Sequence, residues 1–149
     1  MVDPASILAA IVTKLRAIPA VVTAVTSTSN IYTHTPNFPS LNSLQQTLNN
    51  MGSPSILVAY ESGQTGTDTI AWVHNVSIYV MPRGDILSLL TAIINGIPTG
   101  DSVKFQDVEV LATLDCAHEL SILPPESKDF GDVTFDFWSI RLAYREKGN

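Results

Sequence analysis

Four residues in the last third of the chain carry side chains that often serve in catalysis and metal binding. Asp115, Cys116, His118 and Glu119 place carboxylates, a thiol and an imidazole close together in the sequence. A catalytic cysteine and its histidine usually meet in space from distant positions, and a structural zinc site needs about four ligands in paired spacings. The segment has neither pattern. We therefore expect a strand end that runs into a polar loop, with no catalytic residue, metal or cofactor.

The other two histidines offer no better catalytic site. His34 lies in a polar stretch, and His74 lies between Val73 and Asn75 in a run that is typical of a strand. A histidine on a strand face more often has a structural or interface role than that of a general base. The sequence also lacks a nucleophile elbow, a P-loop, a dinucleotide-binding glycine pattern and a metalloprotease histidine pair. These observations favour a function without catalysis.

Composition limits the classes of partner. The chain has 149 residues, with 14 acidic and 8 basic side chains and a formal net charge of −6, which opposes binding to nucleic-acid phosphates. Trp72, Tyr79 and Trp138 could stack on bases, but lysines and arginines do not alternate with them, so burial in a core or interface is the better interpretation. The single cysteine is typical of a reducing cytoplasm. The length suits one domain.

The N-terminal segment predicts a core helix. Asp3 and Pro4 form a helix start, and apolar residues then recur at helical spacing from Ile7 onwards, which predicts a helix over about 3–17. Lys14, Arg16 and Pro19 interrupt the apolar run, which argues against a membrane or signal segment. Residues 20–25 are compatible with either a second short helix or the entry to a strand.

The remaining pattern predicts a sheet with two further helices. We expect a polar connection from Ser27 to Ser43 with Ile31-Tyr32 as its strand-like piece, and a β-hairpin with a mobile tip. We also expect a long irregular segment. The predicted helices span Leu41–Met51 and Asp85–Ile94, the strands Ser55–Glu61, Ile70–Val80, Val108–Leu114 and Val133–Tyr144, and the irregular segment Asp115–Asp132.

The final strand changes its apolar face. Phe135 and Phe137 lie on one side, whereas Trp138, Ile140 and Leu142 lie on the other. A strand with an unbroken period of two would keep one apolar face. Either a bulge re-aims the strand near residue 137, or both faces are covered at different points, one by the helices of this chain and one by another subunit.

The order of these elements resembles the tail terminator (tail completion) proteins of long-tailed bacteriophages. The resemblance lies in the N-terminal helix ending in Leu15-Arg16-Ala17-Ile18-Pro19, the Pro-rich connection, the hairpin with a Gly/Thr tip, the central helix, and the final strand that spans 132–142. It implies an α/β fold of the α+β type, with a mixed, mostly antiparallel sheet packed by the N-terminal and central helices.

The resemblance also implies a virion protein at the tail–neck junction, assembled in the bacterial cytoplasm. Its partners would be further copies of itself in a hexameric ring, the tail tube protein and a neck or head-completion protein. DNA would be passing cargo, and no membrane would be involved. A head-to-tail interface that rotates back on itself closes such a ring.

The resemblance supplies no motif for interface residues, so the candidates come from the layout. We expect the polar connection from Ser27 to Ser43 and the hairpin tip to become ordered on contact with a partner, the tip through Gly63, Thr65, Gly66 and Asp68. We expect contacts between neighbouring subunits on the final strand and in a rim loop, at Trp138, Tyr144 and the segment from Glu126 to Phe130.

Other functions remain open on the sequence alone. Another neck or head-completion subunit, or a tail-tube subunit, would have similar size and layout. A small enzyme could assemble a site from Asp115, Cys116 and His118 with a distant partner. A monomeric ligand-binding domain is a further alternative.

Overall fold

The computed structural model describes residues 2–25, 30–34, 55–65, 72–81, 87–96, 105–117, 119–130 and 133–147. These residues form a five-stranded mixed sheet, helices and a short 3-10 turn at Phe105–Asp107. The helices are α1 (Pro4–Arg16), α2 (Pro19–Val25) and α3 (Leu87–Asn95), and the strands are β1 (Ile31–His34), β2 (Ser55–Thr65), β3 (Trp72–Met81), β4 (Glu119–Phe130) and β5 (Val133–Arg145). The expected α+β fold class, with an N-terminal helix and a mostly antiparallel sheet, is confirmed.

Helix α1 begins and ends where the sequence predicts. The Asp3 side chain accepts a hydrogen bond from the backbone N–H of Ala5, and Pro4 occupies the first helical turn. Lys14 and Arg16 lie in the last turn, where positive charge complements the helix dipole. The Arg16 guanidinium also donates to the carbonyl of Ile31 at 2.9 Å, which ties the end of α1 to the start of β1.

Residues 19–25 form the second helix, one of the two alternatives that the sequence allowed. The axes of α1 and α2 are bent by 91° at the break around Ile18, which is itself buried. Of the helices that the structure describes, none alone is long and apolar enough to cross a membrane, although α1 and α2 pass that test as a bent pair.

The central helix ends at a glycine. Gly96 has φ 76°, a left-handed conformation that other residues rarely adopt, and its N–H donates to the carbonyl of Ala92 at 3.2 Å. This arrangement closes α3 with a satisfied backbone group. The expected start of this helix at Asp85 and the whole expected helix Leu41–Met51 lie outside the described residues.

The strands lie in the order β1-β2-β3-β5-β4, so that β1 and β4 are the edges. Only β1 and β2 pair in parallel among these neighbours, and the predicted hairpin of β2 and β3 is confirmed. Strand β2 runs on to Thr65, past the predicted end at Glu61. The expectation that Gly63 and Thr65 lie in the loop of the hairpin is therefore wrong, because both pair with β3, while their contact with a partner stays a prediction. Gly66 and Asp68 lie outside the described residues.

The two faces of the sheet differ in what covers them. On one face, which we call the helix face, alternate residues of the central strands pack with α1, α2 and α3 into the main core. This core includes the cross-strand pair Ile78 and Ile140. On the opposite face, the second face, Leu57, Met81 and Phe137 form a separate buried cluster to which none of the described helices contributes.

Strand β4 corrects the expectation that residues 115–132 form a long irregular segment. It pairs with β5 from Glu119 to Phe130, with one extra residue between Leu123 and Glu126. Pro124 and Pro125 occupy this bulge. Proline lacks the N–H that a central strand needs, but it is tolerated on an edge strand and at a bulge.

The predicted strand Val108–Leu114 is also wrong. In the described structure this segment makes only an isolated bridge, between Leu114 and Glu146. Val108 and Val110 are nevertheless buried while Glu109 is exposed. Val110 and Leu114 belong to the main core, so alternating burial in this segment does not require a paired strand.

The change of apolar face in the last strand has a structural explanation. Strand β5 keeps a regular register with β3, and the bulge lies in β4, opposite Trp138. Phe137 packs on the second face with Leu57 and Met81, whereas Ile140 packs in the main core. Both faces of β5 therefore carry buried apolar side chains.

Tyr144 corrects a further expectation. Its side chain is completely buried inside this chain, in the main core, so it has no surface to offer to a neighbouring subunit. Its hydroxyl has no hydrogen-bond partner among the described residues. Burial, followed by the proximity of Cys116, raises the pKa of this hydroxyl, which therefore stays neutral.

The unpaired hydroxyl leads to a stability prediction. The Tyr144→Phe variant removes a buried polar group that has no partner among the described residues, so we expect unchanged stability or a gain of up to about 1 kcal/mol. Tyr144→Ala, which empties the same site, should lose about 3–5 kcal/mol. Urea unfolding followed by circular dichroism measures both. A loss of more than about 1 kcal/mol in Tyr144→Phe would show that the hydroxyl has a partner.

Candidate functional site

A buried polar network joins four segments at one end of the sheet. It consists of Tyr60 on β2, His74 on β3, Glu146 just beyond β5, and the backbone N–H of Val2 ahead of α1. The backbone N–H of Glu146 donates to the carbonyl of Trp72 at 2.9 Å, which extends the β3–β5 pairing and places the carboxylate beside His74. The fold therefore brings together residues from both ends of the chain.

Both ring nitrogens of His74 are engaged within the network. Nδ1 lies 2.7 Å from the Tyr60 hydroxyl, and Nε2 lies 2.9 Å from Oε1 of Glu146. The same carboxylate oxygen accepts a hydrogen bond from the N–H of Val2. His74 has an exposed fraction of 0%, so each of its polar atoms depends on a partner inside the protein.

Gly63 makes room for this network. It lies directly opposite His74 in the β2–β3 register, and a Cβ atom there would overlap the Tyr60 hydroxyl. The register shift after Tyr60 places Glu61 as the extra residue of a bulge. Glycine at position 63 thus allows the tyrosine to reach the histidine across the hairpin.

The electrostatics of the network centre on Glu146. Burial opposes ionisation of this carboxyl, but the hydrogen bonds from Val2 and His74 outweigh it and lower the pKa. Burial and the nearby Glu146 carboxylate raise the pKa of Tyr60, which stays protonated. The network therefore holds one negative charge among three donors or potential donors.

A tyrosine, a histidine and a carboxylate in series could in principle move a proton. Here His74 is closed to solvent, and neither ring nitrogen is open to a substrate. The arrangement instead ties the start of α1, the hairpin and the end of β5 together, in agreement with the structural position expected for His74. Its chemistry favours stability over catalysis.

The second face of the sheet carries an aromatic patch. Tyr79 and Phe137 pack edge to face, with ring centroids 5.1 Å apart, and Tyr32 also packs against the Leu57, Met81 and Phe137 cluster. The Tyr79 hydroxyl donates to the Glu61 carboxylate. Burial and that carboxylate raise the pKa of Tyr79. Aromatic residues with one polar end are frequent at protein–protein interfaces.

A depression of about 230 Å³ lies further along the second face. Its lining includes Asn75 from β3, Ser121 and Leu123 from β4, and Arg141 and Ala143 from β5. Arg141 pairs across the sheet with two serines, one on each side. These short side chains leave space around the exposed guanidinium.

The β4–β5 arm, residues 126–130 and 133–137, extends beyond β3. The β3–β5 register ends at the pair of Val80 and Trp138, so within the described structure the arm strands pair only with each other. Thr134 donates to Asp129 at 2.6 Å, and Ser127 donates to Asp136. Glu126, Asp129 and Asp136 are all exposed, which makes the arm an acidic projection.

The other candidate interface residues lie in different surroundings. Glu126 lies at the exposed base of the arm, and Phe130 ends β4. Trp138 is partly buried against the main core. Its contact with a neighbouring subunit stays a prediction.

The structure describes only part of the segment proposed as a possible enzyme site. The Cys116 thiol is exposed and donates to the carbonyl of Asp107 at 3.3 Å, and Asp115 lies 3.8 Å from the Arg145 side chain. His118 lies outside the described residues. No group of three or more potential metal-binding side chains occurs among the residues described.

Sequence reasoning missed the buried polar network because its members are far apart in the chain. His74 and Glu146 are separated by 72 positions, and nothing local to either residue indicates the other. The one available signal was Gly63, since a glycine inside a strand often marks the close approach of another group. That glycine was instead assigned to a flexible tip.

The Gly63→Ala variant tests the close approach of Gly63 and Tyr60 in the network. The added methyl group collides with the Tyr60 hydroxyl, so we expect a loss of about 1–3 kcal/mol in the free energy of unfolding. Adding Tyr60→Phe removes the colliding hydroxyl. The double variant should therefore lose less than the sum of the two single losses, as measured by denaturant unfolding. Strict additivity would contradict the predicted contact.

The lowered pKa of Glu146 predicts a pH dependence. A carboxyl whose pKa is lower in the folded state stabilises the fold above its ordinary value of 4.5, and this stability is lost as the pH falls through the folded pKa. We expect the wild-type protein to be more stable than Glu146→Gln at neutral pH, with the difference shrinking below about pH 4.5. Urea titrations across pH 3–7 measure it. A difference that does not change with pH would contradict the prediction.

Comparison with known proteins adds no relative from which a site could be transferred. No protein-family model matches the sequence, and no curated protein matches it at a significant level. Inference about function therefore rests on the arrangement of the residues in this chain.

Proposed function

We propose that this chain is a structural virion protein of a long-tailed bacteriophage, a tail terminator. Its subunits form a ring, expected to be a hexamer, that caps the tail tube and stops its polymerisation. The other side of the ring joins the tube to a neck or head-completion protein. The α+β fold with an N-terminal helix and a long final strand is the architecture that the sequence resemblance implied.

The observation that carries the proposal is the β4–β5 arm. A two-stranded hairpin that lacks support from a third strand is at best marginally stable in water. The arm carries exposed acidic side chains at Glu126, Asp129 and Asp136, and in the described structure it receives no strand from its own chain beyond the end of the β3–β5 register. A neighbouring subunit is the natural source of that support.

The second face of a neighbouring subunit offers a surface that the arm could contact. Its aromatic patch and its depression are both built on the side of the sheet that none of the described helices packs against. An arm and a sheet face are different surfaces, so in the proposed ring their contact repeats head to tail and is heterologous. Heterologous contacts repeat head to tail, and they close into a ring when the rotation per subunit divides the circle.

The remaining chemistry is compatible with a passive role. His74 at the centre of the polar network is closed to solvent, with both ring nitrogens engaged by partners in this chain, which favours a non-enzymatic function. The acidic balance of the chain suits a ring through which DNA passes without adhering, because like charges repel. DNA affinity measured at low salt tests this point, and tight binding would contradict it.

Electron microscopy of the purified protein tests the proposed function. We expect rings of uniform size that do not grow with protein concentration, and that stop the growth of tubes when tail tube protein is added. Long cylinders formed by the protein alone would instead indicate a tube subunit. A monomer at all concentrations would contradict ring formation and favour a ligand-binding domain.

A Cys116→Ser variant serves as the control for the enzyme alternative. Cys116 carries the chain's one thiol, and in the structure this thiol is exposed and donates to a backbone carbonyl, that of Asp107. We expect rings and tube capping to be unchanged in this variant. Loss of biological function with intact rings would favour the enzyme.

A further inference from the structure

Arg141 stands out among the cations of the sheet because of its position. It lies on the second face of β5, between β3 and β4, and it is exposed at the depression of about 230 Å³. Its positive charge acts to lower the pKa of the Tyr79 hydroxyl, although burial and Glu61 outweigh this effect. It forms no ion pair with a carboxylate of the described residues, whereas Arg145, four positions later, lies 3.8 Å from Asp115.

The surroundings of Arg141 suit a carboxylate. A guanidinium offers parallel N–H donors that match the two oxygens of a carboxylate, and the contact strengthens where water is excluded. Ser121 adds a hydroxyl at the rim of the depression, and Leu123 and Ala143 supply apolar walls. The site therefore combines one positive charge with a partly apolar recess.

The complementary surface lies on the β4–β5 arm. By strand alternation Asp136 shares the helix face with Trp138 and Ile140, and Asp129 lies on that same face because it pairs with Thr134. The hydroxyls of Ser127 and Thr134 each donate to one of these carboxylates, which holds them in defined orientations. Pre-oriented groups lose less conformational freedom on binding.

We infer that Arg141 of one subunit binds the Asp129 and Asp136 carboxylates on the arm of the next subunit. The inference rests on the proposed function and names the contact that forms the ring. Charge complementarity identifies the occupant as a second copy of this chain, since the arm supplies the carboxylates and the depression supplies the cation.

The two sides of the contact lie on opposite faces of the sheet. Arg141 lies on the second face, and the two aspartates lie on the helix face. The surface that carries the arginine therefore differs from the surface that carries the carboxylates. Each subunit carries one arm and one recess, and in the proposed ring the contact repeats head to tail. A closed ring satisfies every such pair, as does a two-fold dimer in which each arm enters the partner's recess, and the number of subunits found by analytical ultracentrifugation separates the two.

Charge reversal tests the contact. Arg141→Glu alone, and Asp129→Lys with Asp136→Lys, should each raise the protein concentration at which half of the subunits are assembled by at least about tenfold. Combining all three substitutions restores opposite charges and should recover most of the assembly. Analytical ultracentrifugation at low and high salt measures this, and added salt should weaken the wild-type ring.

Arg145→Glu is the matched control. It makes the same change of charge on the same strand, but at a residue that pairs within its own chain. We expect it to leave assembly within about twofold of wild type, because exposed pairs contribute little. Circular dichroism of every variant establishes that the fold is retained.

The outcomes separate this inference from the proposed function. If the wild-type protein forms rings and Arg141→Glu forms them equally well, the contact is wrong and the ring is unaffected. If both single-sided reversals disrupt the ring but the combination does not restore it, Arg141 and the arm aspartates do not bind each other. If the wild-type protein is monomeric at all concentrations, the proposed function itself fails.

Discussion

The antiparallel pairing of β3 with β5 is the constraint on which the rest of the structure depends. Its register runs from Val73 opposite Arg145 to Val80 opposite Trp138, in the middle of the sheet. Because successive side chains alternate between the faces, this one register assigns Ile140 and Leu142 to the helix face and Arg141 to the second face. A slip of one residue would exchange the two sets and place a guanidinium in the core.

The same pairing divides β5 into two functional halves. At its C-terminal end the strand continues to Glu146, whose carboxylate meets His74 and the N–H of Val2. At its N-terminal end β5 extends beyond the last residue that pairs with β3 and forms the arm with β4. One half therefore closes the subunit upon itself, while the other half projects from it.

The sequence predicted those parts of the fold that local chemistry determines. Asp3 and Pro4 marked the start of α1, the apolar runs marked the β2–β3 hairpin, and the last strand was found with its change of face. Strand β4 was missed because two consecutive prolines usually exclude a strand, and only its edge position and bulge make them tolerable.

The site was less predictable than the fold because its contacts are long-range. The burial of Tyr144 depends on which face of β5 the helices cover, and alternation alone does not decide that. The partners of His74 come from β2, from the residue after β5 and from the start of the chain, so no local pattern could reveal them. Glu126 was expected in a rim loop, and it lies at the base of the arm instead.

The His74 network and the proposed assembly contact lie on opposite faces and at opposite ends of the same strand pair. The His74 network lies at the end of the β3–β5 pair where β3 begins and β5 ends. It is on the side of the main core, because His74 lies opposite Tyr144, which is buried there. Arg141 faces away from that core, and the arm aspartates lie beyond the last β3 residue. Substitutions at distant sites without shared partners usually act additively. Changes at Glu146 should therefore alter the free energy of unfolding of the subunit while leaving the Arg141 recess intact. Reversal of the Arg141 charge should alter association while leaving the free energy of unfolding of the isolated subunit nearly unchanged.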